Sequence, residues 1–281
     1  MAHIWEFREL LANLVHKELK IKYKDSFLGF LWSLLRPLFL LAIYWLVFAK
    51  FLRADIPYFA FYLFAGLIAW DLFVSTLNAA TTSIVANGNL IKKVYFPREI
   101  LPLATVGAGL VHFALQLAVL FTTLLVFRYD FWGANLLLLP LAIVALILFT
   151  TSLSLLLAST NVYMRDIQHL IEVFFLFWFW LTPIAYPINF ALKALGEHQF
   201  LGVKLSTIYL LNPMADIAMG FQRAVYKNMA ASDSAGQPAL YQASMASYAG
   251  RLLAVIAVAT FLVWVCQRVF AKAQGNFAQE L

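Results

Sequence analysis

The sequence predicts an all-α membrane protein. It should have six transmembrane helices, an N-terminal amphipathic interface helix, a short helix at an inner turn and short external helices before the last span. Three observations carry this fold class. Hydrophobic residues make up 63% of the 281 and charged residues only 12%, far from the balance of a water-soluble domain. Apolar stretches longer than about 18 residues recur along the chain, each long enough to cross a hydrocarbon core as a helix. The period-two alternation of a membrane β-barrel is absent, and a spanning segment that is not part of a closed barrel must satisfy its own backbone as a helix.

Residues 1–30 read as an interface helix, with Phe7, Leu10, Leu11, Leu14 and Val15 on one stripe and Arg8, Asn13, Lys17 and Lys20 largely off it. Amphipathicity alone leaves a membrane-surface anchor and a partner groove equally open for it. No cleaved signal peptide is expected, because charges run through this segment and no small-residue cleavage site follows a short apolar core. The spans are expected at 31–51, 58–85, 101–127, 136–158, 170–188 and 252–270, in a single domain covering 1–281. Arg36-Pro37 sits near the inner end of the first, Asn87-Gly88-Asn89 closes the second with turn chemistry, and Pro183 and Pro187 interrupt the fifth. The irregular outer end of that fifth span should be buried in protein. An external segment at 189–250 contains a helical piece, Asn212 to Tyr226, and a polar loop tip at 232–238.

The net charge of +6 is divided among segments that bracket spans, so orientation is its best use. Arg8, Lys17, Lys20, Lys22 and Lys24 precede the first span, Lys92, Lys93 and Arg98 lie between the second and third, and Arg268 and Lys272 follow the last. Those segments are expected on the cytoplasmic side. Arg223, Lys227, Lys193 and Lys204 in the long external segment weaken the asymmetry, though long loops count less.

The sequence contains no GxxxxGK[ST], HExxH or GxSxG pattern, and its single cysteine, Cys266, rules out an intramolecular disulfide. Neither catalysis nor nucleotide binding is therefore expected of the chain itself. Asp71, Glu172 and His112 are ionisable residues in or beside spans, where an interhelical hydrogen bond and a working site compete as readings. Phe174, Phe175, Phe177, Trp178, Phe179, Trp180 and Tyr186 crowd one span. They read either as packing with an interfacial belt or as a lining on which sugar rings stack.

Four segments resemble the membrane subunit of ATP-binding-cassette exporters of cell-surface polysaccharide, the permease family that moves O-antigen, capsule or teichoic acid. They are Lys20 to Trp32 ending at Arg36-Pro37, NLIKKVYFPREILP at 89–102, NVYMRDIQH at 161–169, and Asn212-Pro213-Met214 with its following helix. The resemblance implies a homodimer of this chain with two copies of a separate ABC ATPase, in a bacterial inner membrane with both termini cytoplasmic. This chain would bind no cofactor; ATP and Mg would belong to the ATPase.

The resemblance further implies an ATPase-coupling surface at Asn89, Leu90, Ile91, Lys92, Lys93, Val94, Tyr95, Phe96, Pro97 and Arg98, joined by Arg165 and Asp166. Ile91, Val94 and Phe96 are expected to fill a partner pocket while Lys92, Lys93 and Arg98 set register. Lys17, Lys20 and Lys24 would serve the interface helix, with Gly29 as its hinge. Trp32, Tyr44, Phe174, Phe177, Trp178 and Tyr186 are the expected channel lining, and Lys24 and Arg36 the contacts to a lipid-linked pyrophosphate. The same architecture could carry teichoic acid, capsule or a small amphiphile. A membrane-embedded glycosyltransferase or acyltransferase, the reading from another class, would require an acid-base or metal cluster at one membrane face.

Overall fold

The computed structural model describes residues 6–23, 35, 38–43, 46–47, 58–196, 198–200, 202–226 and 240–280. The span expected at 31–51 falls largely outside them, as do Lys24, Gly29, Trp32, Arg36 and Tyr44. Among the described residues, four helices are long and apolar enough to cross a membrane. They are α2 (Phe59–Ala86), α4 (Ile100–Val126), α5 (Leu138–Tyr163, extended at its start by a 3-10 turn, Ala134–Leu137) and α10 (Met245–Ala273).

Around these lie α1 (Arg8–Tyr23), α3 (Gly88–Lys93), α6 (Ile167–Trp180), α7 (Ile188–Leu195), α8 (Leu205–Tyr209), α9 (Pro213–Val225) and α11 (Phe277–Glu280). A two-residue hairpin, β1 (Gln199–Phe200) with β2 (Val203–Lys204), is the sole strand pair of the described residues. Its turn places Gly202 at φ 78°, a left-handed conformation that glycine adopts without a Cβ penalty.

Helix α5 lies at the centre, packed against α2, α4, α9 and α10. In a bilayer, apolar contact alone does not drive helices together, because lipid tails are as apolar as leucine; close fit and interhelical hydrogen bonds must do it. Both are present. Ala65, Ala69, Ala80, Ala142, Ala145, Ala158 and Ala259 are fully enclosed at helix contacts. A Cβ on Gly109 of α4 would stand 2.3 Å from Thr76 Oγ1 of α2, so these two helices meet at a point only glycine allows. The Asn161 side chain of α5 donates to the Thr81 carbonyl of α2 at 3.0 Å within the bundle. Hydroxyls at Thr81, Ser83, Thr123, Thr151 and Ser152 donate to carbonyls three or four residues back, so they cross the apolar region satisfied.

Helix α9, the helical piece expected within the 189–250 segment, has every residue from Met214 to Val225 buried and wedges between α2, α5 and α10. Arg223, counted among external charges, is buried in protein, its guanidinium 6.0 Å from the Tyr248 ring. Arg251 of α10 pairs with Asp216 of α9 at 3.1 Å and donates to the Leu210 carbonyl at 3.1 Å.

Helix α6 ends at Trp180, well before Pro183, and its 14 residues reach only about 21 Å. The chain beyond it is irregular, and Thr182, Pro183, Ile184 and Pro187 are buried. The carbonyls freed there are taken up by protein. Gln222 Nε2 donates to the Pro183 carbonyl at 3.0 Å, and Tyr62 OH lies 3.3 Å from the Tyr186 carbonyl. Gly66 makes room for Gln222, since a Cβ there would be 2.9 Å from its amide nitrogen.

Candidate functional site

One end of the bundle gathers α1, α3, the loop 94–99, the turn after α5 and the C-terminal residues. It carries Lys17, Lys92, Lys93, Arg98, Arg165, Arg268 and Lys272, and is called the basic end below. The amphipathic stripe of α1 lies against the start of α4: Leu14 is buried and Phe7, Leu10, Leu11 and Val15 pack on the same apolar cluster. A Cβ on Gly107 would be 2.7 Å from Val15 Cγ2, which measures how closely the two helices approach. The stripe that composition assigned to a membrane surface or a partner is thus occupied by the chain's own third span. Lys20 remains exposed.

Asn87 joins these parts. Its backbone ends α2 and begins α3: its N–H reaches the Ile84 carbonyl at 3.2 Å, and its own carbonyl accepts from Leu90 N at 3.0 Å and Ile91 N at 3.1 Å. Its side chain donates to the Ser83 carbonyl at 2.8 Å and accepts from Lys17 Nζ at 2.8 Å. Turn chemistry at Asn87-Gly88 is visible in the sequence; the tether to Lys17, seventy positions away, is not.

Helix α3 is two turns long and stops at Val94, where the backbone becomes extended. From here the side chains divide sharply. Ile91 and Phe96 are each 6% exposed, in the cluster formed with Leu14, Ile100, Leu101, Val162 and Phe270. Tyr95 is 94% exposed and Val94 50%. Lys92, Lys93 and Asn89 are exposed, while Leu90, Pro97 and Arg98 are half-buried. The expectation that Ile91 and Phe96 fill a partner pocket is therefore corrected: they fill this chain's own core, packed in that cluster from the helix and from the loop after it. Val94 and Tyr95, which follow the exposed Lys92 and Lys93, are the apolar side chains this loop leaves uncovered.

Arg98 donates to the Gln274 carbonyl, and its guanidinium sits 5.9 Å from the Phe277 ring centre. Glu99 accepts from Gln267 Nε2 at 3.2 Å. An open cleft of about 680 Å³ is lined by the loop 91–99 together with Gln267, Gln274 and Gly275. Gln267, Gln274 and Phe277 belong to the site's surroundings, yet no sequence pattern distinguishes them from other residues at a helix end. Arg165 and Asp166 lie exposed on the turn after α5, at the same end, where Tyr163 OH donates to the Ala273 carbonyl at 2.8 Å.

The aromatic face of α6 is a second candidate region. Only Ile171 and Phe175 of this helix are buried. Phe174 is 54% exposed and Phe177 67%, and both stand with Leu170, Val173, Leu176 and Trp180 on a broad uncovered surface. Trp178 and Tyr186, expected in the same lining, are half-buried and hydrogen-bonded within the chain. The Trp178 ring meets Phe73 edge-on at 5.2 Å and its Nε1 donates to Asn212 Oδ1 at 2.9 Å. Tyr186 OH donates to the Trp180 carbonyl at 2.6 Å and lies 3.1 Å from Tyr209 OH. Indole and phenol groups that are partly enclosed seek such partners, which removes these two from a free lining.

The ionisable residues at span depth form a small group. Gln116 Nε2 donates to Asp71 Oδ2 at 2.8 Å, and His112 Nε2 lies 3.6 Å from the same oxygen. Among the described residues no group of three His, Cys, Asp or Glu side chains is placed to hold a metal.

Comparison with known proteins agrees with this architecture. Over 279 residues, covering 99% of this chain and 97% of the relative, the sequence is 30% identical to the O-antigen export system permease protein RfbA of Myxococcus xanthus. It is also 30% identical over 219 residues to a protein of the same name from Klebsiella pneumoniae, covering 76% of this chain and 79% of that one. The family model described as ABC-2 type transporter matches residues 9–222, a stretch that begins in the docked helix α1 and runs through the loop 94–99 and the wedged helix α9. The four apolar helices, the basic end and these matches together establish that the chain belongs to the ABC-2 type transporter family of membrane permeases.

Proposed function

We propose that this chain is the membrane-spanning subunit of an ATP-driven exporter that moves lipid-linked polysaccharide, O-antigen foremost, from the cytoplasm across the inner membrane. It works as a homodimer with two copies of a separate ABC ATPase, which binds ATP and Mg. The observation that carries the cargo is similarity along 99% of the chain to an O-antigen export permease, including the external segment. Six spans complete the pathway: the four long helices, residues 31–51, and α6 continued by the buried irregular stretch after it. The basic end faces the cytoplasm, in keeping with the positive-inside rule.

In this reading the ATPase docks on Asn89 to Arg98 with Arg165 and Asp166. Val94 and Tyr95 are its apolar anchor, and Lys92 and Lys93 set the approach. An exposed aromatic flanked by cations suits such an anchor, since binding energy concentrates in a few aromatic and charged residues. Lys17, tied to Asn87, lets α1 move with the docking turn, while Lys20 and Lys24 meet the ATPase or lipid and Gly29 hinges the helix. Phe174 and Phe177, with Trp32 and Tyr44, line the path; Lys24 and Arg36 meet the pyrophosphate of the lipid carrier.

The test is depletion of this permease in its native host. Lipid-linked glycan should accumulate on the cytoplasmic side and vanish from the surface, and resupply of the wild-type chain should reverse both. Normal surface glycan after depletion would refute the cargo. Co-purification tests the docking: Tyr95→Ala should weaken ATPase retention by about tenfold, corresponding to loss of one anchor. Retention at the wild-type level would refute that surface.

A further inference from the structure

We propose that the C-terminal segment, Gln274 to Glu280, is a clamp that holds the loop 94–99 in the shape offered to the ATPase. The proposal rests on the docking reading above and adds a positioning element to it. Between α3 and α4 the chain leaves the helix at Val94 and runs to Pro97 in neither helix nor strand, with no ladder partner among the described residues. Fixing each residue of such a stretch costs backbone entropy, so a loop that presents an anchor must be held by contacts with other parts of the chain. Its holders come from the far end of the chain.

Arg98 is gripped by the Gln274 carbonyl and faces the Phe277 ring, and Glu99 is gripped by Gln267. Phe277 itself is fully buried although it lies four residues from the last position. It meets Phe270 edge-on at 5.4 Å and Tyr163 at 6.0 Å, in the apolar cluster that also receives Ile91 and Phe96. Tyr163 OH donates to the Ala273 carbonyl at 2.8 Å, where α10 passes into a 3-10 turn, Gln274–Asn276. One aromatic plug thus joins the loop, the end of α5 and the end of α10. The cleft beside it leaves Tyr95 standing clear of protein. Removing the plug frees Arg98 and Phe96 together and lets Tyr95 wander, while the helices beneath keep their own contacts.

The experiment places a spin label at position 95 (Tyr95→Cys in a Cys266→Ala background) in the permease alone, reconstituted in lipid nanodiscs. Phe277→Ala and, separately, Arg98→Gln, which leaves the core intact, should each increase label mobility. Phe277→Leu, which keeps the plug, should restore most of the order. In unlabelled permease with Tyr95 in place, Phe277→Ala should lower retention of the ATPase by about tenfold, a loss of 1.4 kcal/mol. Unchanged mobility in both variants would overturn the clamp, and so would raised mobility with full ATPase retention. Failure of the docking reading is separate: there Tyr95→Ala would leave retention unaltered, whatever the label reports.

Discussion

At the scale of single residues, the pair Asp216–Arg251 shows how a charge is kept inside this bundle. Burial raises the Asp216 carboxyl from its ordinary value of 3.8 to about 6, and the neighbouring Arg251 opposes that shift without cancelling it. An acid whose folded value is raised binds its proton more tightly in the folded state. Its contribution to stability is therefore full below the ordinary value and is lost as pH rises through about 6. In thermal unfolding of the purified permease, Asp216→Asn should flatten the decline in stability over that pH range. An identical pH profile in the variant would show that the carboxyl is solvated.

Asn212 is a second residue with more duties than its place in a turn suggests. It caps α9 through Met214 N at 3.1 Å, accepts from Trp178, and donates to Leu181 O at 3.1 Å and Thr182 Oγ1 at 3.2 Å. Asn212→Ala should cost about 1 to 2 kcal/mol for the cap and more for the orphaned Trp178 donor, read as a lowered unfolding midpoint. Asn212→Asp keeps the acceptor but not the donors, so its midpoint should fall between the two.

Among elements, α1 and α6 behave in opposite ways. Helix α1 was legible as amphipathic, and its stripe is satisfied by α4 at Gly107. A Gly107→Leu change should push Val15 away and cost about 1 to 3 kcal/mol, freeing α1 to protease while the spans stay inserted. Protection of α1 equal to wild type would show that the contact at Gly107 does not hold the helix. Helix α6 leaves most of its surface bare. Phe177→Ala, on that surface, should slow export with assembly intact, whereas Trp178→Ala should lower stability by roughly 3 kcal/mol, because its ring is packed between Phe73 and Phe174. Loss of folding in Phe177→Ala would place that side chain in the packing instead.

For the whole molecule, the spans and their charged flanks were readable because both are long, redundant signals. Twenty apolar residues with lysines at one end allow little else. The second, third, fourth and sixth expected spans each coincide with a long apolar helix, displaced by one to seven residues at the ends. The segment NLIKKVYFPREILP, proposed as the docking surface, could be picked out in the sequence, but which of its faces are buried could not. Ile91, Val94 and Phe96 look alike in composition, yet two point inward and one does not. The clamp was invisible, since Gln274 and Phe277 acquire their role only by meeting Arg98, some 176 positions earlier.

What the sequence by itself determined is the solvent of this protein, the positions of its long helices and the end that carries its positive charge. Those follow from the cost of placing charges and unpaired backbone in hydrocarbon, which each segment meets alone. Tertiary structure decided which faces meet protein. It buried α9, turned Trp178 inward and Phe177 outward, and left Tyr95 exposed beside a buried Phe96. In a bilayer, lipid and protein interior are equally apolar, so hydrophobic pattern cannot tell them apart; that choice is made by close fit and by hydrogen bonds between residues far apart in the chain.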